Sequence, residues 1–193
     1  IVRGYPMRHT LFAASVKDIG WITELCAKRR KGDAELVAKV NKLIDRPLSR
    51  AELKERAATA LPGVPFWHVV RVAMEGGHAV YSGADQLITP VDLPGLEEIY
   101  NGDKVAATTE LMTRYFRTHG QVTLGDFAWW TKLPQKLIRP AAENLPPDIV
   151  RCGEESPDFV SIEVIDMAEA RKKRSVLLLG AFDEYIPVSY THL

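Results

Sequence analysis

Gln135, Lys136 and Arg139 fall on one arc of a helix that advances about 100° per residue, with Glu143 beside them. Leu137, Ile138, Ala141, Ala142 and Leu145 fall on the other side. An amide and two cations over an apolar back suit contact with nucleic acid: the front reaches phosphates or base edges while the back packs on neighbouring helices. Three polar residues in isolation describe any solvated helix face, so the weight rests on the elements around them.

Those elements run from about Thr109 to Asp166. ELMTRYFRTHG sets Leu111, Met112, Tyr115 and Phe116 on one face and Arg114 and Arg117 on the other, and Gly120 closes it. Thr123, with Asp126 three residues on, opens a second helix, TLGDFAWWTKL, by a capping box. Leu133-Pro134 starts the third, QKLIRPAAENL, which Pro146-Pro147 ends. Two β-rich runs, Asp148–Cys152 and Phe159–Ile165, flank GEESP and read as a hairpin. Three helices followed by a hairpin predict a winged helix-turn-helix and point to duplex DNA. Trp129 and Trp130 read as core or hinge aromatics and not as base-stacking residues.

The layout occurs a second time. Ala34–Ile44 carries Leu36, Val37, Val40, Leu43 and Ile44 along one side; Ser49 and Glu52 make a capping box for RAELKERAATAL; Pro65 starts PFWHVVRVAMEGG; HAVYSG fits a first wing strand. In this copy only His68, Arg71 and Glu75 form a polar stripe on the third helix, so it is expected to be more scaffold than reader. His68 reads as a surface or half-buried histidine, not as a catalytic base or metal ligand. Ahead of both copies, Met7–Phe12 reads as one strand and Ser15 with Asp18 opens a helix that ends in AKRRKG. Those terminal cations oppose the negative pole of the helix and need no DNA to explain them.

The expected fold class is therefore α+β, mainly α with small β-hairpins, arranged as tandem winged helix-turn-helix domains. The expected segments are 1–32 as a strand and helix leading from an upstream unit, 33–82 as a winged helix, 83–104 as a connector, 105–166 as a second winged helix, 167–186 as a terminal strand block and 187–193 as a non-native tail. The chain opens with Ile1, and a fragment of a longer protein is expected.

Net charge is zero over 193 residues, but charge is segregated. Residues 1–32 hold seven Lys/Arg against two acids, residues 105–146 hold five against three, and Arg171, Lys172, Lys173 and Arg174 form a compact basic run. A neutral protein with separated charge can still turn a positive face to phosphates. Arg114, Arg117 and the 171–174 run join Gln135, Lys136 and Arg139 as candidate DNA contacts. Asp183 and Glu184 form a possible pair of cleft acids for general acid/base work, with bracing of a turn as the simpler role. Two distant cysteines, Cys26 and Cys152, without CxxC spacing, predict reduced thiols in a cytoplasmic protein and no zinc site. No metal, no cofactor and no membrane span are expected, and nothing resembles a heptad dimer helix, so a monomer is expected.

PMRHTLFAAS followed by KDIGW resembles the Arg-x-Thr-Leu-(His/Phe) strand and following helix of the AlkZ/YcaQ-like bacterial winged-helix proteins. GQVTLGDFAWWTKLP is similar to that group's G-x-(V/A)-T-x-x-D-(F/L)-x-x-W-(T/S)-x-L segment, and LLLGAFDEYI at Leu177–Ile186 to its terminal L-L-P-x-F-D-E-Y block. The resemblance implies tandem winged helices, duplex DNA as partner and, in characterised members, removal of alkylated purines or unhooking of crosslinks. The family's catalytic Gln-x-Gln or Gln-x-Asp carries over to no residue here, because the glutamines are Gln86, Gln121 and Gln135. The expectation is a DNA-gripping fragment that is not catalytic by itself. A winged-helix transcriptional regulator and a protein-interaction module are the alternatives.

Overall fold

The computed structural model describes residues 1–26, 33–152, 158–162 and 165–166. Among them the chain forms eight helices and two small antiparallel sheets, an α+β arrangement. Two compact units are separated at Asp103/Lys104.

The single strand expected over Met7–Phe12 is instead a hairpin. β1 (Val2–Met7) turns at Arg8-His9 and returns as β2 (Thr10–Ala14). Arg8 and His9 both take positive φ, 56° and 55°, the two-residue turn whose twist matches that of paired strands. Neither residue is Gly or Asn, so the usual signal for such a turn is missing from the sequence.

α1 (Val16–Cys26) follows, with Ser15 Oγ accepting from the Lys17 backbone N–H at 3.2 Å. Gly20 lets the Leu93-Pro94 backbone cross this helix closely: a Cβ there would lie 2.5 Å from the Pro94 carbonyl oxygen. α2 (Asp33–Leu43), α3 (Arg50–Ala60) and α4 (Phe66–Glu75) then pack around Val40, Leu48, Leu53, Val69 and Ala73, all fully buried. α4 leads into β3 (Ala79–Ser82) and β4 (Leu87–Pro90), and α5 (Leu96–Tyr100) ends the unit. The sheet order is β2-β1-β3-β4, so the first strand of the chain pairs with β3 and belongs to the same sheet as the later hairpin. Leu48, between α2 and α3, exchanges both backbone hydrogen bonds with Ile88 of β4, at 2.9 and 2.8 Å.

The second unit opens with α6 (Lys104–Thr118), whose Leu111, Met112, Tyr115 and Phe116 are buried as the periodicity predicts. β5 (Val122–Thr123), α7 (Leu124–Thr131), α8 (Gln135–Glu143), β6 (Ile149–Cys152) and β7 (Asp158–Ser161) follow. The sheet order is β5-β7-β6, with Val122 opposite Phe159 and Val150 opposite Val160. The second strand was expected to reach Ile165 but ends at Ser161, and Ile162 is already helical. Ser161 lies opposite Ile149, the first residue of β6, and Pro146-Pro147 upstream of it lack the N–H groups a longer ladder needs.

Both units therefore repeat one order: helix, short extended segment, helix, helix, hairpin, with the short segment paired to the second hairpin strand. Both also start their second helix with a capping box, Ser49/Glu52 in one and Thr123/Asp126 in the other.

Glu52 is the clearest electrostatic feature of the first box. The Ser49 backbone N–H donates to it at 2.8 Å and Arg46 at 3.0 Å, and these contacts hold its carboxyl down at about 2. A carboxyl depressed by folding stabilises above its unfolded value and ceases to do so as pH falls through its folded value. The melting temperature should therefore fall between pH 4.5 and about 2. Glu52→Gln should flatten that part of the pH profile, which thermal unfolding monitored by circular dichroism at stepped pH would check. At neutral pH, Ser49→Ala should cost about 1 kcal/mol in denaturant unfolding.

Candidate nucleic-acid interface

α8 begins where Pro134 fixes an extended backbone ahead of Gln135, after Lys132 has ended α7 in a left-handed turn, φ 59°. Ile138 and Ala141 are fully buried, and α8 packs along α6 with Thr109 Oγ1 donating to the Ala141 carbonyl at 3.3 Å. Gln135, Lys136 and Arg139 are all exposed on the opposite face. Neither Lys136 nor Arg139 has an acidic partner among the described residues. Pro140 sits inside the helix and cannot donate to the Lys136 carbonyl.

Arg114 and Arg117 are placed differently. Arg114 Nε donates to Glu110 at 2.6 Å, one turn earlier on the same helix. Arg117 makes two hydrogen bonds to Asp148, at 2.8 and 2.9 Å, and so ties the end of α6 to the residue before β6. The Arg117 guanidinium holds the Asp148 carboxyl below its ordinary value. These two arginines are engaged by acids, whereas among the described residues Lys136 and Arg139 are not.

Two further cations were not anticipated. Arg151, exposed on β6, lies over the Phe159 ring with its guanidinium carbon 5.3 Å from the centroid. Lys132 Nζ lies 4.4 Å from the Trp129 centroid. Strand alternation puts Arg151 on the same face as buried Ile149 and so gives no signal for its exposure, and nothing in the local sequence marks Lys132. Trp130 packs on Tyr115 with centroids 4.9 Å apart, in keeping with a core role. Arg171, Lys172, Lys173, Arg174, Asp183 and Glu184 lie outside the described residues, as do the AKRRKG cations of 27–32 and the whole of GEESP.

In the first unit the His68, Arg71 and Glu75 stripe is an internal cluster and not a solvated face. Arg71 is 8% exposed, donates to Glu75 at 3.0 Å and contacts His68 Nε2 at 3.2 Å. His9, on the β1–β2 turn, bonds the other Glu75 oxygen. Burial, and then neighbouring Tyr81, raises the Tyr5 phenol above its ordinary value. Trp67, on the same helix, is 64% exposed.

No group of three or more His, Cys, Asp or Glu side chains suited to a metal ion occurs among the described residues, and no helix there is long and apolar enough to cross a membrane. Cys26 and Cys152 are free thiols, and burial pushes Cys26 up to about 12.

The family model for DNA glycosylase AlkZ-like proteins matches residues 1–187, and the chain belongs to that family. A DNA glycosylase family implies DNA repair and DNA as the partner. No curated protein and no solved structure matches the chain.

The Arg117–Asp148 pairing makes a direct prediction. In Arg117→Gln the Asp148 carboxyl should titrate at higher pH than in the parent protein, since its leading hydrogen-bond donor is gone. Carboxyl-carbon NMR across pH 2–6 would read this, and an unmoved Asp148 would contradict the pairing.

Proposed function

We propose that the chain binds duplex DNA through two tandem winged helices, as the gripping part of an AlkZ-like glycosylase. The order helix–strand–helix–helix–hairpin, present twice with the same strand pairing, supports this reading. In this reading α8 is the recognition helix of the second unit and the β6–β7 hairpin its wing. The observation that carries it is the face of α8: Lys136 and Arg139 stand exposed, without an acidic partner among the described residues, over a buried Ile138/Ala141 back.

Lys136 and Arg139 act on phosphates, Gln135 is placed to reach a base edge, and Arg151 adds a cation on the hairpin. Phosphate contacts hold register and give affinity without selecting sequence, as lesion repair across a genome requires. The resemblance implies a Gln-x-Gln or Gln-x-Asp signature for cleavage of the N-glycosidic bond, and that signature falls at none of these 193 positions. These residues therefore supply grip, and the 171–174 run and the Asp183-Glu184 pair stand as further candidates beside it.

Lys136→Ala combined with Arg139→Ala should weaken duplex binding about equally across sequences and lower the slope of log K against log salt by about two. Fluorescence-anisotropy titrations of a short duplex at several salt concentrations would measure both. Binding and slope that match the parent protein would remove α8 from the interface.

A further inference from the structure

Lys132 closes α7 with its backbone in the left-handed region, φ 59° and ψ 22°. Glycine enters that region without cost, whereas a residue with a Cβ crowds the following carbonyl oxygen. The end of α5 follows the usual rule, with Asn101 and then Gly102 taking positive φ. A lysine at the end of α7 departs from it.

The turn does not call for this side chain. The Lys132 backbone N–H donates to the Ala128 carbonyl at 2.8 Å, and the Leu133 N–H donates to Thr131 Oγ1 at 3.2 Å. Leu133 is buried and anchors the turn. Pro134 sets the entry into α8 and accepts from the Leu137 N–H at 2.9 Å. Backbone groups and neighbouring residues make all of these contacts, so a glycine at position 132 would keep every one.

The lysine side chain instead places a charge. Its Nζ lies 4.4 Å from the centroid of Trp129, on the preceding turn of α7. The attraction of an ammonium to an indole face is of the same order as the left-handed penalty, so the two largely offset each other. Attraction to the carbonyl end of α7 adds little. These terms leave the fold small net gain over glycine, yet they hold an exposed cation three residues ahead of Gln135, where the polar face of α8 begins. Backbone strain kept up by its surroundings is characteristic of binding sites.

We infer that Lys132 is a phosphate contact of the DNA-binding surface and that Trp129 is its positioning residue. The inference rests on the duplex-binding reading above. An ammonium is a compact point charge that suits a phosphate oxygen better than a planar base edge. A side chain already resting on a ring gives up less rotamer freedom when it binds. Trp129 acts through the lysine and needs no contact of its own with DNA.

The test uses the full chain in anisotropy titrations of one short duplex at several salt concentrations, with thermal melting of each variant. Lys132→Gly should melt no lower than the parent protein. Its slope of log K against log salt should drop by about one, which makes binding about five- to tenfold weaker at roughly 0.1 M salt. Lys132→Arg keeps the charge and should keep the slope. Trp129→Ala should also keep the slope but bind about threefold more weakly, and Trp129→Phe, which retains a ring face, should restore the affinity. Should Trp129→Ala fail to fold, Lys132→Gly and Trp129→Phe decide.

Parent-like affinity and slope in Lys132→Gly, with both lowered in the Lys136→Ala, Arg139→Ala double variant, would overturn the contact and leave α8 in place. An early-melting Lys132→Gly that binds like the parent would make the lysine structural. Parent-like affinity in a folded Trp129→Ala would remove the positioning role. A parent protein that binds no duplex at any salt concentration would overturn the duplex reading and this contact with it.

Discussion

The second unit depends on the burial of one ring. Phe116 is fully buried near the end of α6, stacks parallel on Phe159 of β7 at 5.0 Å, and lies 6.3 Å from Phe127 of α7. A buried aromatic of this size removes about 150–250 Å² from water. Here the same burial draws together a helix, the helix after it and the middle strand of the sheet. α8 has no separate anchor of that size. It is held by Ile138 and Ala141 against the frame that Phe116 assembles, which is why its polar face has one direction open to solvent.

That frame also decides which cations remain available. Surface ion pairs add little to stability, since partners already hydrated gain only a modest attraction. Their effect is on geometry and on availability. The two hydrogen bonds of Arg117 to Asp148 fix where the chain enters β6, and they occupy a guanidinium that a charge count would have assigned to phosphate. Lys136 and Arg139, one turn apart, have no acidic partner among the described residues. Charge counts alone do not separate these two situations, because the acid that captures Arg117 lies 31 residues away.

The same distinction explains what was legible in the sequence. Helices were readable because their determinants are local: Ser49/Glu52 and Thr123/Asp126 signal from three residues apart, and the apolar faces of α2, α6 and α8 follow the helical period. The turn at Arg8-His9 was not, since it adopts positive φ without Gly or Asn. Neither were the Leu48–Ile88 bridge and two-residue β5, which are too short to show any alternation. The Gln135, Lys136 and Arg139 face was legible from periodicity alone. The His9–Glu75–Arg71–His68 cluster was hidden because its first link joins residues 66 apart, and because a histidine, an arginine and a glutamate on one helix read as solvated until a second element covers them.

The two units share an order of elements but not the chemistry of their third helices. In α8 the helix back is apolar and the front cationic, so the exposed side attracts a polyanion at a distance and through solvent. In α4 Arg71 and Glu75 are drawn inward and bonded to each other, with Arg71 Nε buried and without a hydrogen-bond partner among the described residues, and what faces solvent at the start of the helix is an indole. Long-range attraction tolerates any sequence and any register, whereas ring stacking works only in contact and only with a flat partner. One order of elements thus presents a solvated polar face in α8 and, in α4, an internal ion pair beneath an exposed indole.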